Sequence, residues 1–336
     1  MKILLTGGCG YIGSHTAVDL LEKGFEVIIV DNLSRSSASV LDGIEEITGK
    51  KPVFYQTDLC DREATEKIFA ENKDIQGIIH FAAYKSVGES VRNPLLYYHN
   101  NIASLVNMLE NVEKYAIPYF VFSSSCSVYG NIANLPVTEQ SPMAPAESPY
   151  GFTKQIGEQM IQDFARKYAK AKFVLLRYFN PVGAHPSAKI GETPFSTPEN
   201  LVPYITQTAA GKREQLTIHG NDYPTRDGTC IRDYIHVSDI ASAHTLALQY
   251  LMATPAAETV EIYNLGTGNG VSVLEMVEAF EEVSSLKLPY TIGARRAGDV
   301  IAVYADNTLA KTRLGWKLRY DVHDMMRTAW AWERKN

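Results

Sequence analysis

The feature that most constrains the fold is a regular alternation of short apolar segments with longer helical ones. Short runs rich in β-branched and aromatic residues recur as KILLT, EVIIVD, VFYQTD, GIIHFA, YFVFSSS and FVLLRYF. Runs of this length and composition predict strands that are buried on both faces of a sheet. Between them, segments such as GSHTAVDLLEKG and NIASLVNMLENVEKY carry apolar residues three and four positions apart, which predicts helices. The alternation therefore predicts an α/β fold with a doubly wound parallel Rossmann sheet.

The alternation loosens after about residue 181, where a loop-rich stretch contains several prolines: Pro181, Pro186, Pro194, Pro198 and Pro203. We therefore predict a nucleotide-binding Rossmann domain over residues 1–181 and a smaller α/β substrate domain over residues 182–336. Some elements of the second part are expected to return to the first.

Composition narrows the class of protein. A chain of 336 residues with 45% hydrophobic and 21% charged residues is typical of a globular protein with a large interior. A net charge of -6 argues against nucleic acid as the main partner. The opening MKILLTGG has too few consecutive apolar residues for a signal peptide or a membrane span, so we predict a cytoplasmic protein without a membrane partner. The scattered cysteines and histidines predict neither a metal site nor a disulfide framework.

A glycine-rich loop lies between the first predicted strand and the first predicted helix. Residues 6–13 read TGGCGYIG and include Gly7, Gly10 and Gly13. In this context glycines allow a tight turn, close approach of the backbone to a pyrophosphate and close helix packing, while free amides at the helix start face the phosphate charge. The loop therefore predicts dinucleotide binding.

The strand ends that follow the glycine loop indicate which dinucleotide is bound. Asp31 ends the next predicted strand, 18 residues after Gly13, where its carboxylate can accept hydrogen bonds from a ribose 2′-hydroxyl and would repel a 2′-phosphate. This favours NAD over NADP, although Arg35 nearby is a group that can hold such a phosphate. Asp58 closes the third strand and is a candidate contact to the adenine side, and Ala82 follows the fourth.

A Tyr-x-x-x-Lys pair occurs twice, as Tyr150 with Lys154 and as Tyr168 with Lys172, so the spacing alone decides nothing. Ser148 can cap a helix that starts at the following proline, which places Tyr150 in the first turn. Lys154 then lies one turn further on the same face. Tyr168, in contrast, falls at the end of that helix.

The position of Tyr150 and Lys154 in the predicted fold also indicates their chemistry. The run YFVFSSSCSVYG ends a strand at Ser125, on the edge of the sheet where open α/β folds bind their ligands. A free tyrosine has a pKa near 10, and a neighbouring ammonium, a helix N-terminus and a cationic nicotinamide all favour its phenolate. The sequence therefore predicts that Tyr150 transfers a proton and that Lys154 lowers its pKa.

These motifs together resemble the extended short-chain dehydrogenase/reductase family. Within it, the chain resembles the UDP-glucose 4-epimerase family along nearly its whole length, in GGCGYIGSH, VDNLSRSS, IHFAAYKSVGES, FSSSCSVYG, SPYGFTK, LRYFNPVGAHPS and HGNDYPTRDGTCIRDYIHVSD. The resemblance implies an isomerase with NAD as cofactor that interconverts UDP-galactose and UDP-glucose by oxidation at C4, rotation of the 4-keto sugar and re-reduction. It also implies a homodimer, and it makes residues 182–336 the UDP-sugar-binding domain.

The resemblance also implies residue roles. Tyr150 would be the catalytic base and acid, Lys154 would bind the nicotinamide ribose, and Ser125 would hydrogen-bond O4 of the sugar; all three are thus cofactor or substrate contacts as well. The implied cofactor contacts further include Gly7, Gly10, Tyr11, Ile12, Gly13, Asp31, Asn32, Asp58, Leu59, Phe81, Ala82, Lys85, Asn100 and Phe179. The implied substrate contacts further include Lys85, Asn180, Asn200, Leu201, Thr217, His219, Arg232, Arg296, Asp299 and Val303.

Three positions depart from the family pattern. Cys9 replaces a frequent serine in the glycine turn, and His219 lies where an aromatic ring often stacks on uracil. Val303 lies where strict epimerases carry a bulky tyrosine and enzymes that also accept N-acetylated sugars carry a small residue. Because valine is intermediate in size, we predict some additional activity on UDP-N-acetylhexosamines.

Two alternatives belong to other functional classes. A nucleotide-sugar 4,6-dehydratase needs an Asp-Glu pair just after the serine or threonine at the strand end, where this chain has Cys126 and Ser127. A cofactor-sensing regulator commonly lacks the tyrosine or the lysine of the pair, and both are present here. Surplus apolar residues in the segment 93–115 fit either a dimer interface or packing within one chain.

Overall fold

A computed structural model describes residues 1–132, 134–195, 198, 200–255, 258–296 and 300–336. The strands are β1 Lys2–Thr6, β2 Glu26–Asp31, β3 Val53–Gln56, β4 Ile75–His80, β5 Tyr119–Ser125, β6 Lys172–Tyr178, β7 Asn180–Val182, β8 Leu216–His219, β9 Ile231–Arg232, β10 Tyr234–His236, β11 Val260–Leu265, β12 Val271–Ser272, β13 Tyr290–Gly293 and β14 Ala302–Val303.

The helices are α1 Tyr11–Glu22, α2 Val40–Thr48, α3 Arg62–Glu71, α4 Val87–Arg92, α5 Pro94–Lys114, α6 Pro149–Lys167, α7 Leu201–Ala209, α8 Val237–Ala253, α9 Val273–Ser284, α10 Thr308–Leu314 and α11 Val322–Glu333. A 3-10 turn covers Cys126–Tyr129, directly after β5.

Seven parallel strands form the central sheet, in the order β11-β6-β5-β4-β1-β2-β3. Successive residues of each strand face opposite sides of a sheet. In β1, Ile3 and Leu5 pack into the layer that contains α1, α2 and α8, whereas Leu4 packs into the layer that contains α3, α5 and α6. Both layers are buried, which explains the nearly continuous apolar runs in the sequence. The predicted doubly wound parallel Rossmann fold is confirmed.

The second part of the chain contributes to this sheet and also builds smaller ones. Strand β11 extends the sheet next to β6, and α8 packs against α1. The remaining strands of this part pair as β7 with β10, β8 with β13, and β9 with β12 and β14. Helices α7, α9 and α11 surround a separate apolar cluster that includes Ile205, Met276, Phe280 and Met326. The division at residues 181 and 182 itself stays a prediction.

Two broader expectations concern membranes and metals. Within the described ranges, no helix combines the length and the hydropathy that a bilayer span requires. The same residues contain no group of three or more histidine, cysteine and carboxylate side chains arranged to hold a metal ion.

Candidate active site

The glycine loop has the geometry of a cradle. Gly7 has a φ of +66°, and a Cβ at this position would lie 2.9 Å from the backbone nitrogen of Ala82. A Cβ at Gly13 would lie 2.8 Å from the Cα of Gly8, so α1 can only approach the loop this closely without a side chain. Helix α1 begins after Gly10, which offers no side-chain cap, and its first amides have no acceptor within the helix. The residues present therefore fit a bound pyrophosphate.

Asp31 is held at the end of β2, beside the glycine loop. Its Oδ2 accepts a hydrogen bond from the Cys9 amide at 3.1 Å, and its Oδ1 accepts from the Leu33 amide at 2.9 Å and from the Ser36 hydroxyl at 2.8 Å. Arg35, which could have held a 2′-phosphate, forms an ion pair with Glu89 at 2.7 Å. The arrangement favours a ribose with a free 2′-hydroxyl.

The other expected cofactor contacts lie along the same edge of the sheet. Asn32 and Asp58 join the ends of β2 and β3 through a 3.3 Å hydrogen bond. Phe81 follows β4 and packs against the His244 ring with centroids 4.6 Å apart. Further expected contacts near this edge are Tyr11 and Ile12 at the start of α1, Leu59 after β3, Ala82 after β4, and Asn100 on α5.

Ser148 caps α6 as the sequence predicts. Its Oγ accepts a hydrogen bond from the Gly151 amide at 3.1 Å, and Pro149 occupies the first turn. Tyr150 thus lies at the N-terminus of α6, with Lys154 one turn further along. Lys154 is 5% exposed, and its Nζ donates to the Ser123 carbonyl oxygen at 2.6 Å. The lysine therefore ties α6 to the end of β5, next to Ser125.

The pKa values of Tyr150 and Lys154 reflect opposing effects of burial and of neighbouring groups, which the sequence did not reveal. Burial raises the pKa of the Tyr150 phenol to about 12, while a hydrogen bond with Ser125 lowers it. Burial lowers the pKa of the Lys154 ammonium to about 8, and the Glu158 carboxylate opposes that effect. Desolvation thus exceeds the protein's own stabilisation of the phenolate. Lys154 donates to the Ser123 carbonyl oxygen, and its lowering of the pKa of Tyr150 stays a prediction.

A buried ion pair beneath this site was not predicted. Glu158 and Arg177 are 0% and 1% exposed, and their closest ion-pair distance is 2.6 Å. Glu158 also accepts a hydrogen bond from Ser124 at 2.5 Å, next to Ser125 in the chain. The signal was present, since Glu158 follows Lys154 by four residues and so lies on the same face of α6. Arg177, on β6, gave no such signal.

Glu192 is a further residue that sequence reasoning missed. Its Oε1 accepts from Lys85 at 3.2 Å and from Asn200 at 3.1 Å, two expected contact residues that are far apart in sequence. The Trp332 indole donates to the Glu192 carbonyl oxygen at 2.9 Å and fixes the loop. Glu192 thus joins the end of β4 to the start of α7, and only tertiary structure could show this link.

Arg232 and Val303 are neighbours in the small sheet, where they pair directly between β9 and β14. The Arg232 charge acts on the Cys126 thiol, which follows Ser125 and also interacts with Tyr150. Val303 is partly buried against the apolar cluster that contains Phe179. Cys126 packs against the same cluster as Val303, so these two expected substrate residues lie near the turn that follows Ser125.

The remaining expected substrate residues lie on several different elements. Asn180 begins β7, and its amide donates to the Asp233 carbonyl oxygen at 2.9 Å, while Leu201 begins α7. Thr217 and His219 are exposed on one face of β8, which pairs with β13 in a separate sheet. Arg296 is exposed after β13. Asp299 lies outside the described residues.

Comparisons with known proteins agree with this geometry. Residues 4–329 match the family model described as GDP-mannose 4,6 dehydratase. The chain is 51% identical to the UDP-glucose 4-epimerase of Bacillus subtilis, over 100% of this chain and 98% of that protein.

Solved structures give the same picture. The structure of a UDP-glucose-4-epimerase from Stenotrophomonas maltophila, with bound NAD and formylated UDP-arabinopyranose, is 48% identical with a TM-score of 0.96, and the match covers 100% of this chain and 98% of that chain. The UDP-Glc/GlcNAc 4-epimerase of Campylobacter jejuni is 37% identical with a TM-score of 0.86, covering 100% and 99%. The chain belongs to the UDP-glucose 4-epimerase family, within the extended short-chain dehydrogenases/reductases.

Proposed function

We propose that this protein is an NAD-dependent isomerase that interconverts UDP-galactose and UDP-glucose. The single observation that carries the proposal is the convergence of Ser125, Tyr150 and Lys154 at the carboxyl edge of a sheet whose glycine loop fits a pyrophosphate. The dehydratase alternative lacks support from these residues, because Cys126 and Ser127 follow Ser125 in place of an acid pair.

NAD would lie along the carboxyl edge of the sheet, with its pyrophosphate on the amides at the start of α1 and its adenosine ribose on Asp31. When bound, NAD supplies a hydride acceptor and donor for C4 of the sugar, so that the 4-keto sugar can rotate and be reduced on its other face. Lys154 is placed to hold the nicotinamide ribose while it keeps α6 against Ser123.

The protein's own residues handle the proton. Tyr150 would take the proton from O4 of the sugar and later return it, with Ser125 as hydrogen-bond partner of the phenol. Ser125 Oγ accepts from the Ser127 amide at 3.2 Å and from the Ser127 hydroxyl at 3.0 Å, which fixes its position. A proton can therefore pass between the sugar hydroxyl, Ser125 and Tyr150 without solvent.

The UDP part of the substrate would be held by Asn180, Asn200 and Arg232 together with the exposed residues of β8 and the segment after β13. A guanidinium suits a diphosphate, and amide groups suit sugar hydroxyls and uracil. If most binding energy lies on UDP, the hexose is free to turn between the two half-reactions.

The direct test of the proposal uses the purified protein with UDP-galactose and no added NAD. We expect UDP-glucose to form until the two sugars reach equilibrium, because the cofactor is regenerated in each cycle and stays bound. Product would be followed by anion-exchange chromatography. A protein that binds NAD yet leaves UDP-galactose unchanged would be a cofactor-binding regulator rather than this enzyme.

Val303 leads to a prediction on sugar specificity. We expect slow turnover of UDP-N-acetylglucosamine, because the valine leaves more space beside the apolar cluster around Phe179 than a tyrosine would. Val303→Tyr should lower this turnover by at least about tenfold, since one added group in a pocket discriminates by tens of fold or more. Turnover of UDP-galactose should stay within about threefold of that of the natural protein. Both substrates would be assayed side by side with each protein. Absence of N-acetylglucosamine turnover at high enzyme concentration would contradict the prediction.

A homodimer is supported by apolar side chains left exposed on three neighbouring helices, α4, α5 and α6. They are Val87, Val91, Leu95, Leu96, Val106 and Phe152. Leu95 is 79% exposed, and several exposed apolar side chains on helices that pack against each other are typical of an interface. Light scattering should give twice the chain mass, and a monomer at micromolar concentration would contradict the proposal.

The cytoplasmic location stays a prediction, which cell fractionation would test.

A further inference from the structure

Arg35 joins two segments that lie on opposite sides of the glycine loop. It follows β2, and its Nη2 lies 2.7 Å from Oε1 of Glu89 on α4, after β4. Strand β1 lies between β2 and β4 in the sheet, and the glycine loop directly follows β1. In open α/β folds the ligand binds outside the carboxyl ends of the strands. The ion pair therefore links the chain segments on either side of the carboxyl end of β1, where the pyrophosphate of a dinucleotide is expected.

Aromatic side chains hold the guanidinium in this place. Its carbon lies 4.8 Å from the centroid of the Tyr84 ring and 5.4 Å from that of Phe195. Cations within about 6 Å of a ring centroid are attracted to the ring face. Phe195 is 66% exposed, so burial in the core does not explain its position. It comes from the segment after β7 and adds a third part of the chain to the contact.

Further hydrogen bonds hold both partners of the Arg35–Glu89 ion pair in place. On one side, Asp31 accepts hydrogen bonds from the Leu33 amide and the Ser36 hydroxyl, which hold the segment that carries Arg35. On the other side, the Tyr97 hydroxyl donates to Oε2 of Glu89 at 2.8 Å. The Arg35 hydrogen bond also lowers the pKa of Glu89, so the pair is charged at neutral pH.

The backbone of Tyr84 is fixed in the same way. The Tyr84 amide donates to Asn101 Oδ1 at 2.8 Å, and the Asn101 amide group donates to the Tyr84 carbonyl oxygen at 3.0 Å. Asn101 belongs to α5, a long helix packed on the sheet. Tyr84, whose ring contacts Arg35, is therefore anchored to a helix that packs on the sheet.

We propose that Arg35, Glu89, Tyr84 and Phe195, here called the Arg35 strap, retain the bound dinucleotide by closing the groove over its pyrophosphate. The inference rests on the proposed function for the identity of the ligand. Arg35 and Glu89 would act as positioning residues, since neither needs to touch the reacting atoms. Because the strap must open before the dinucleotide leaves, its loss should raise the dissociation rate.

The test measures release of NAD itself. Protein loaded with NAD is diluted, and free NAD is quantified over time in an ultrafiltrate. For Arg35→Ser we expect release about fivefold to tenfold faster than for the natural protein, from the loss of one partly exposed ion pair and two cation–π contacts. Arg35→Lys should recover much of the slow release because it keeps the charge. Glu89→Gln should also accelerate release. The double variant with Arg35→Ser and Glu89→Gln should release NAD little faster than either single variant, because both substitutions break the same ion pair.

Arg62→Ser is the matched control, because Arg62 forms an exposed ion pair with Glu110 at 2.8 Å between α3 and α5. It should release NAD at the natural rate. Equal release by Arg35→Ser and Arg62→Ser would overturn the strap, and so would Arg35→Lys behaving like Arg35→Ser. A natural protein that does not bind NAD would instead overturn the proposed function, and with it the strap.

Discussion

Replacing Tyr150 with phenylalanine should lower the turnover of UDP-galactose by about a hundredfold to ten-thousandfold, since general acid–base catalysis contributes roughly 10²–10⁴ in rate. The phenol is the group placed to exchange a proton with Ser125 at the end of β5. Phenylalanine keeps the ring and its packing, so the fold and NAD binding should be unchanged. The measurement is the initial rate of UDP-glucose formation, together with the bound NAD content of the variant.

The chain supplies its own control in the second Tyr-x-x-x-Lys pair. Tyr168 follows α6, and its ring packs against Phe164 with centroids 5.5 Å apart, at the other end of the helix from Tyr150. Tyr168→Phe should therefore retain full activity. Comparable rates for the Tyr150 and Tyr168 variants would show that Tyr150 does not transfer the proton.

Removal of the Glu158 carboxylate should have the largest effect on stability. In Glu158→Ala, Arg177 would remain buried without its ion-pair partner, and breaking such a pair costs about 3–5 kcal/mol. The loss should also release Ser124, whose hydroxyl donates to Glu158. The free energy of unfolding would be measured by denaturant titration with the natural protein as reference.

Glu110→Ala provides the comparison, because its pair with Arg62 is exposed and should contribute less than about 1 kcal/mol. A second variant, Glu158→Leu with Arg177→Met, removes both buried charges and should recover a large part of the lost stability. If Glu158→Ala is no less stable than Glu110→Ala, the buried pair does not have the energetic role argued from its burial.

The Rossmann sheet could be predicted from the sequence because the patterns that indicate its strands and helices are local. Each strand of the sheet is a short apolar run, and β1 shows why: Leu4 packs on one face of the sheet and Ile3 and Leu5 on the other. The cap by Ser148 and the position of Tyr150 at the start of α6 were predictable for the same reason, since capping depends on residues within one turn.

Other features depend on contacts between distant parts of the chain. Glu192 accepts hydrogen bonds from Lys85 and Asn200, and Arg35 meets Glu89 only because β2 and β4 flank β1. The second part of the chain likewise returns to the first through β11, beside β6. No local periodicity records such pairings.

The Tyr150 and Lys154 pair shows which properties the sequence determines and which depend on the folded structure. Residue spacing, the helix start and the strand-end serines determined from sequence alone which tyrosine is the candidate acid and base. Only the tertiary structure decided its electrostatics: burial raises the pKa of Tyr150 to about 12, and Lys154 donates to the Ser123 carbonyl oxygen. Desolvation depends on every group packed around a side chain, so it is a property of the folded protein and cannot be read from neighbours in sequence.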